Sequence, residues 1–212
     1  MHADDTVNHR LGILISGRGS NLQALIDAVA KGRLSASIAI VISNREGAPG
    51  LERARAAGIE AIVLSHAGFA TREDYDRALV KELRARDVGL VCLAGFMRLV
   101  GAPLIEAFPN RILNIHPSLL PAFPGLDSQQ QAIEHGVKVS GVTVHLVTAD
   151  LDAGPIILQR SVPVLDGDSE ESLAARILVE EHQAYPEAIQ RVLDGRWTVD
   201  GRRFVTSALD KP

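Results

Sequence analysis

The run Val88–Leu93, VGLVCL, carries no polar side chain on either of its alternating faces. A strand made from it has no side that tolerates water, so both faces must be covered. Leu11–Ser16 is a second short apolar run, ended by glycines, and Ser37–Ser43 a third, rich in β-branched residues. Between them lie stretches with helical spacing. Asn21–Val29 places Leu22, Leu25, Ile26 and Val29 on one face, and Thr71–Ala85 does the same with Tyr75, Leu79, Val80 and Leu83. Ala48–Ala57 reads as a short helix and Ala61–Leu64 as a further strand. Apolar strands alternating with amphipathic helices predict an α/β fold, with a mostly parallel central sheet and helices on both faces.

The second half keeps the alternation but lengthens the strands. Arg111–Ile115 leads into a proline-rich loop, His116–Gly125, and Gln129–Glu134 is helical in pattern. Val142–Val147 and Ile156–Val164 flank a turn at Asp150–Pro155, an arrangement that suits an antiparallel addition to the sheet. Ser169–Leu193 is a long terminal helix, with Ser169 and Ser172 as capping hydroxyls and Glu170 and Glu171 suited to a helix N-terminus. Arg196–Val205 reads as a hairpin turning at Asp200–Gly201. With 212 residues and no linker or repeat, the expectation is one domain over 11–212, preceded by a flexible extension at 1–10.

The net charge of −4 disfavours nucleic acid as a partner, because that needs a positive field. No stretch approaches the apolar length of a membrane helix, and the polar opening MHADDTVNHR is no signal peptide. The one cysteine, Cys92, sits in an apolar run and reads as a buried small hydrophobe. Cytoplasm is the compartment these features fit.

Three places carry candidate chemistry. Gly17-Arg18-Gly19-Ser20-Asn21 follows a strand and opens a helix. Backbone N–H groups and the helix N-terminus there suit an anion; the plainer reading is a tight turn with Ser20 or Asn21 capping the helix. The loop lacks the full dinucleotide fingerprint and the Lys-Ser/Thr pair of a nucleotide-binding loop. Asn114 and His116 alternate onto one face at a strand end. An amide donor beside an imidazole suits an oxyanion, although a strand-end histidine bonded to a carbonyl is equally open. Asp150-Leu151-Asp152-Ala153-Gly154-Pro155 is a turn whose Asp152 matters only if it reaches His116. His116, His145, Asp152, Glu181 and His182 match no recognised metal-ligand spacing, so metal is not expected. Within the strand VTVHLV, His145 reads as a packed or supporting residue, and Glu181 as a solvent-facing helix charge.

Taken together the stretches ISGRGSNLQALID, ISNREGAPGLERARAAGI, VCLAGFMRLV, RILNIHPSLLPAFPG, SGVTVHLVTADLDAGPIILQ and VEEH resemble the folate-dependent glycinamide ribonucleotide formyltransferases of purine synthesis. They occur in that family's order and span nearly the whole chain. The resemblance implies a Rossmann-like formyltransferase fold and a formyl transfer from 10-formyltetrahydrofolate, as co-substrate, to the amine of glycinamide ribonucleotide. No metal or nucleotide cofactor is implied, and a monomer or homodimer is expected. It implies that Asn114, His116 and Asp152 are catalytic, with Asp152 keeping His116 charged. It implies that Gly19, Ser20 and Asn21 take the substrate phosphate and that Glu181 holds the amine end. Leu93, Met97, Arg98, Leu99 and Val100, with Asn114, Thr148 and Asp152, would line the folate pocket, and the loop Thr148–Asp152 would close over the pterin. Arg72 would face the glutamate tail. One departure stands out. Many members of the family read Pro-Gly-Leu-His-Thr where this chain has Pro124-Gly125-Leu126-Asp127-Ser128, so an anion-binding role at position 127 is in doubt.

Overall fold

The computed structural model describes residues 8–207. Its strands are β1 (Arg10–Ile15), β2 (Ser37–Ser43), β3 (Ala61–Val63), β4 (Leu90–Leu93), β5 (Ile112–His116), β6 (Val139–Leu146), β7 (Ile156–Pro163), β8 (Trp197–Asp200) and β9 (Arg203–Thr206). Its helices are α1 (Ser20–Ala30), α2 (Pro49–Ala56), α3 (Arg72–Arg84), α4 (Ala102–Ala107), α5 (Ser128–Glu134) and α6 (Glu170–Leu193). The strands form one sheet in the order β3-β2-β1-β4-β5-β6-β7-β9-β8. β3 through β5 run parallel, and the sheet turns antiparallel where β5 meets β6.

Alternation along β1 explains why the parallel strands are apolar on both sides. Ile13 faces a core shared with Leu22 and Leu25 of α1 and Ile177 and Tyr185 of α6. Leu14, its neighbour, faces a second core with Tyr75, Leu79 and Leu83 of α3 and Leu104 of α4. Removing any one of these fully buried leucines to alanine would cost about 2–5 kcal/mol. Cys92 is buried in β4, in the first of these cores.

The antiparallel β6–β7 pair and the terminal hairpin form as their sequences predict. Ser169 caps α6 reciprocally with Ser172. Some boundaries differ. Arg10, assigned above to the extension, is the first residue of β1, because it pairs with Ser37 of β2. Asn8 and His9 are also described, with the Asn8 amide donating to the Asp87 carbonyl at 2.7 Å, whereas 1–7 lie outside the described residues. Helix α4 has no counterpart in the sequence reading. It has six residues, Pro103 lies in its first turn, and only Leu104 is buried, so it leaves almost no periodic signal. Among the described residues no helix is long and apolar enough to cross a membrane.

The carboxyl ends of β1, β4 and β5 open onto one edge of the sheet. In open α/β sheets ligands bind at that edge, where the strand order reverses, here between β1 and β4.

Candidate active site

Asn114 and His116 occupy the last turn of alternation in β5, and β6 presents His145 opposite Asn114 and Thr143 opposite His116. The loop after β6 returns Asp152 to the same point, in left-handed backbone (φ 48°). Asp152 Oδ2 lies 3.4 Å from His116 Nδ1 and accepts the Gly125 N–H at 2.8 Å. Its Oδ1 lies 3.5 Å from Asn114 Nδ2. The side chains of His116 and Asp152 are 6% and 8% exposed, so their electrostatic interactions are little screened by water. The three residues singled out in the sequence thus converge.

The glycine loop after β1 is equally specific. Gly19 is the N-cap of α1 in left-handed backbone (φ 71°), and no side chain caps the helix. A Cβ at Gly19 would lie 2.6 Å from the Gly50 Cα, so only glycine fits. Neither Ser20 nor Asn21 acts as the cap. Among the described residues the Ser20 hydroxyl has no hydrogen-bond partner, and the Asn21 amide donates to Glu181 Oε2 at 2.7 Å. Glu181 is buried rather than solvent-facing, because α6 packs its acidic position against α1. Free helix N–H groups, a free hydroxyl and a buried carboxylate therefore stand together.

The segment after β4 forms another wall. Leu93 is buried, whereas Met97 and Leu99 are 58% and 56% exposed, large apolar surfaces without cover from the protein itself. Met97 N–H donates to Ser16 Oγ at 2.8 Å, and Ser16 in turn donates to Asn44 Oδ1 at 2.6 Å. Arg98 stacks over the Tyr75 ring, 5.4 Å from its centroid. Arg72, exposed at the start of α3, lies 3.7 Å from Glu73. Thr148 donates weakly to the Asp150 carbonyl at 3.4 Å.

The family described as formyl transferase matches residues 9–189 of this chain. The chain belongs to the formyl transferase family. It is 48% identical over 184 residues to the phosphoribosylglycinamide formyltransferase of Escherichia coli (strain K12), covering 87% of each. It is 51% identical over 189 residues to the trifunctional purine biosynthetic protein adenosine-3 of Drosophila melanogaster, spanning 88% of this chain but 14% of that longer protein. The structure of glycinamide ribonucleotide transformylase 1 from Symbiobacterium toebii matches with a TM-score of 0.93 at 56% identity, over 97% of each chain.

Within this formyl transferase the protonation of the site departs from the sequence expectation. Burial is the largest influence on His116 and pulls its pKa below the ordinary histidine value, despite the Phe123 carbonyl and Asp152, which pull it up. Burial therefore favours the neutral ring, against the pull of Asp152 toward the charged one. Its Nε2 lies 2.8 Å from the Phe123 carbonyl, which only accepts, so Nε2 carries the hydrogen and Nδ1 is bare. Burial is the largest influence on Asp152 and pushes it up, yet the balance of its neighbours, the Gly125 N–H among them, holds the carboxyl below its usual range. A lone pair and a carboxylate then face each other across 3.4 Å, an arrangement that favours taking up one proton.

His145 is the buried, supporting residue that its strand position suggested. Its Nδ1 lies 2.9 Å from the Leu146 carbonyl, so Nδ1 carries the hydrogen and Nε2 accepts from Asn114 Nδ2 at 3.2 Å. That fixes which end of the Asn114 amide points into the site. The link from Met97 through Ser16 to Asn44 was missed, because only tertiary contacts reveal it. Asp127 is exposed, in left-handed backbone at the N-cap of α5, and the next residue, Ser128, places Oγ 3.4 Å from His116 Nε2. Among the described residues no three His, Cys, Asp or Glu side chains form a group that could hold a metal.

Proposed function

We propose that this protein transfers the formyl group of 10-formyltetrahydrofolate to the amine of glycinamide ribonucleotide. The products are formylglycinamide ribonucleotide and tetrahydrofolate, in de novo purine synthesis. The convergence of Asn114, His116 and Asp152 at the carboxyl end of β5 carries this reading.

The folate lies against Leu93, Met97, Arg98, Leu99 and Val100, with its formyl oxygen toward Asn114. Thr148 and the loop to Asp152 cover the pterin, and Arg72 meets the glutamate tail. Gly19, Ser20 and Asn21 take the ribonucleotide phosphate, and Glu181 orients the amine end. The amine attacks the formyl carbon, forming the C–N bond. Asn114 Nδ2–H, aimed by His145, stabilises the oxyanion. The amine proton passes to the gap between His116 Nδ1 and Asp152 Oδ2, making an imidazolium beside a carboxylate. When the oxyanion collapses, the C–N10 bond breaks and that proton goes to N10. Holding both reactants in one cleft makes the step effectively unimolecular. No metal or nucleotide cofactor takes part. The work is done within one domain, acting as a monomer or homodimer in the cytoplasm.

The test is the absorbance of deformylated folate with and without glycinamide ribonucleotide. Amine-dependent release that collapses in Asp152→Asn supports the transferase. Release without amine means a hydrolase, and release only with another amine reassigns the acceptor.

A further inference from the structure

Asp76 belongs to no part of the mechanism, yet it is a carboxylate with 1% of its surface exposed. A buried charge without a role is a cost to folding. Asp76 Oδ2 accepts the Gly101 N–H at 2.6 Å. Gly101 directly follows Val100, so this bond ties the end of the apolar wall Leu93–Val100 to α3. The approach leaves no room for a side chain. A Cβ at Gly101 would lie 2.6 Å from Asp76 Oδ2 and 3.3 Å from Arg72 Nε. Burial pushes the Asp76 carboxyl up, and the Gly101 N–H and, through space, the guanidiniums of Arg72 and Arg98 pull against it. Neither forms an ion pair with it among the described residues, so their N–H groups remain directed elsewhere.

We infer that Asp76 is a positioning residue for folate: its carboxylate anchors Gly101 N–H, and its charge orients Arg72 toward the anionic tail. This deepens the folate reading of the cleft and rests on it. Arg72 cannot be held by a direct bidentate pair and also serve a ligand carboxylate. A buried charge behind it attracts the guanidinium without taking up its donors, and the exposed Glu73 contact at 3.7 Å is too long to hold them against a ligand carboxylate. The same carboxylate sets where the wall ends, so tail and ring contacts share one reference point.

Two variants separate the two contributions. Asp76→Asn keeps an oxygen for Gly101 N–H and removes the charge. Asp76→Ala removes both. Steady-state kinetics would use the formylated folate and a formylated pteroyl analogue without the glutamate. Asp76→Asn should raise KM for the folate roughly tenfold, with kcat and the ribonucleotide KM within about twofold, and should leave the KM of the tail-less analogue unchanged. Asp76→Ala should raise KM for both forms. An equal effect of Asp76→Asn on both forms, on both substrates, or on neither would overturn the inference. Calorimetric titration with tetrahydrofolate reads the same difference without turnover. If wild type binds folate with this Asp76 dependence but transfers no formyl group, the proposed function falls and the positioning role stands. If it binds no folate, both fall.

Discussion

Asn21 and Glu181, 160 positions apart, are joined by a 2.7 Å hydrogen bond that couples the first helix to the last beside the glycine loop. Burial pushes the Glu181 carboxyl up, and the Asn21 amide only partly offsets it. A folded-state pKa above the unfolded one makes this group's contribution to stability full below the unfolded pKa and lost as pH rises through the folded pKa. Glu181→Gln should therefore raise the unfolding free energy at neutral pH by about 0.5–2 kcal/mol and flatten its pH dependence. It should also raise KM for the ribonucleotide. Thermal unfolding between pH 4 and 8 checks the first part; a less stable variant at pH 7 would contradict it.

Asn114→Ala should lower turnover by about 10²–10³ if its amide stabilises the oxyanion. Folate affinity should change much less. His145→Ala should reproduce part of that loss, because the amide is then no longer aimed. Single-turnover rates for the pair and the double variant test this. Additive losses would mean that His145 acts independently of Asn114.

The pH dependence has a definite sign. Neutral His116 is the form that accepts the amine proton, and its pKa lies below the ordinary histidine value. The rate should therefore fall only as pH drops through that depressed pKa, below the ordinary histidine range, with no loss near pH 7. Stability follows in the same direction, lost as pH falls through that depressed pKa. Because Asp152 pulls the His116 pKa up, Asp152→Asn should move the ring titration to still lower pH. An NMR titration of the ring would show this, and a rise would refute the assignment.

Gly19→Ala should destabilise the protein by more than about 1 kcal/mol, since it meets both left-handed backbone and the Gly50 Cα. The KM for the ribonucleotide should rise while that for folate holds. Denaturant unfolding and paired KM measurements read these separately. Unchanged ribonucleotide KM would remove the loop from the phosphate site.

Much of the architecture was legible because burial on two faces leaves a plain mark: VGLVCL could hardly be anything but an inner strand. Asn114 and His116 were legible as a pair because strand alternation is local. Asp152 reaching them was not, since it depends on the register of β5 with β6 and on a left-handed turn 38 residues from Asn114. His145 was legible as a supporting residue, but that it faces Asn114 depends on the same register. Glu181 looked like surface charge because helical spacing alone cannot tell which neighbour covers an acidic position. Protonation was the least legible. The residue types imply an ion pair, whereas the depth of burial favours the neutral form of His116.

The Ser16 hydroxyl gives to Asn44 and receives from Met97, so the loop beside the first helix and the wall after β4 hang from one oxygen. The mouth of the cleft consequently has no independent jaws. Widening it for a bulkier acceptor would drag the opposite wall along, because the Ser16 N–H also donates to the Gly95 carbonyl at 3.0 Å and fastens the same two segments a second time.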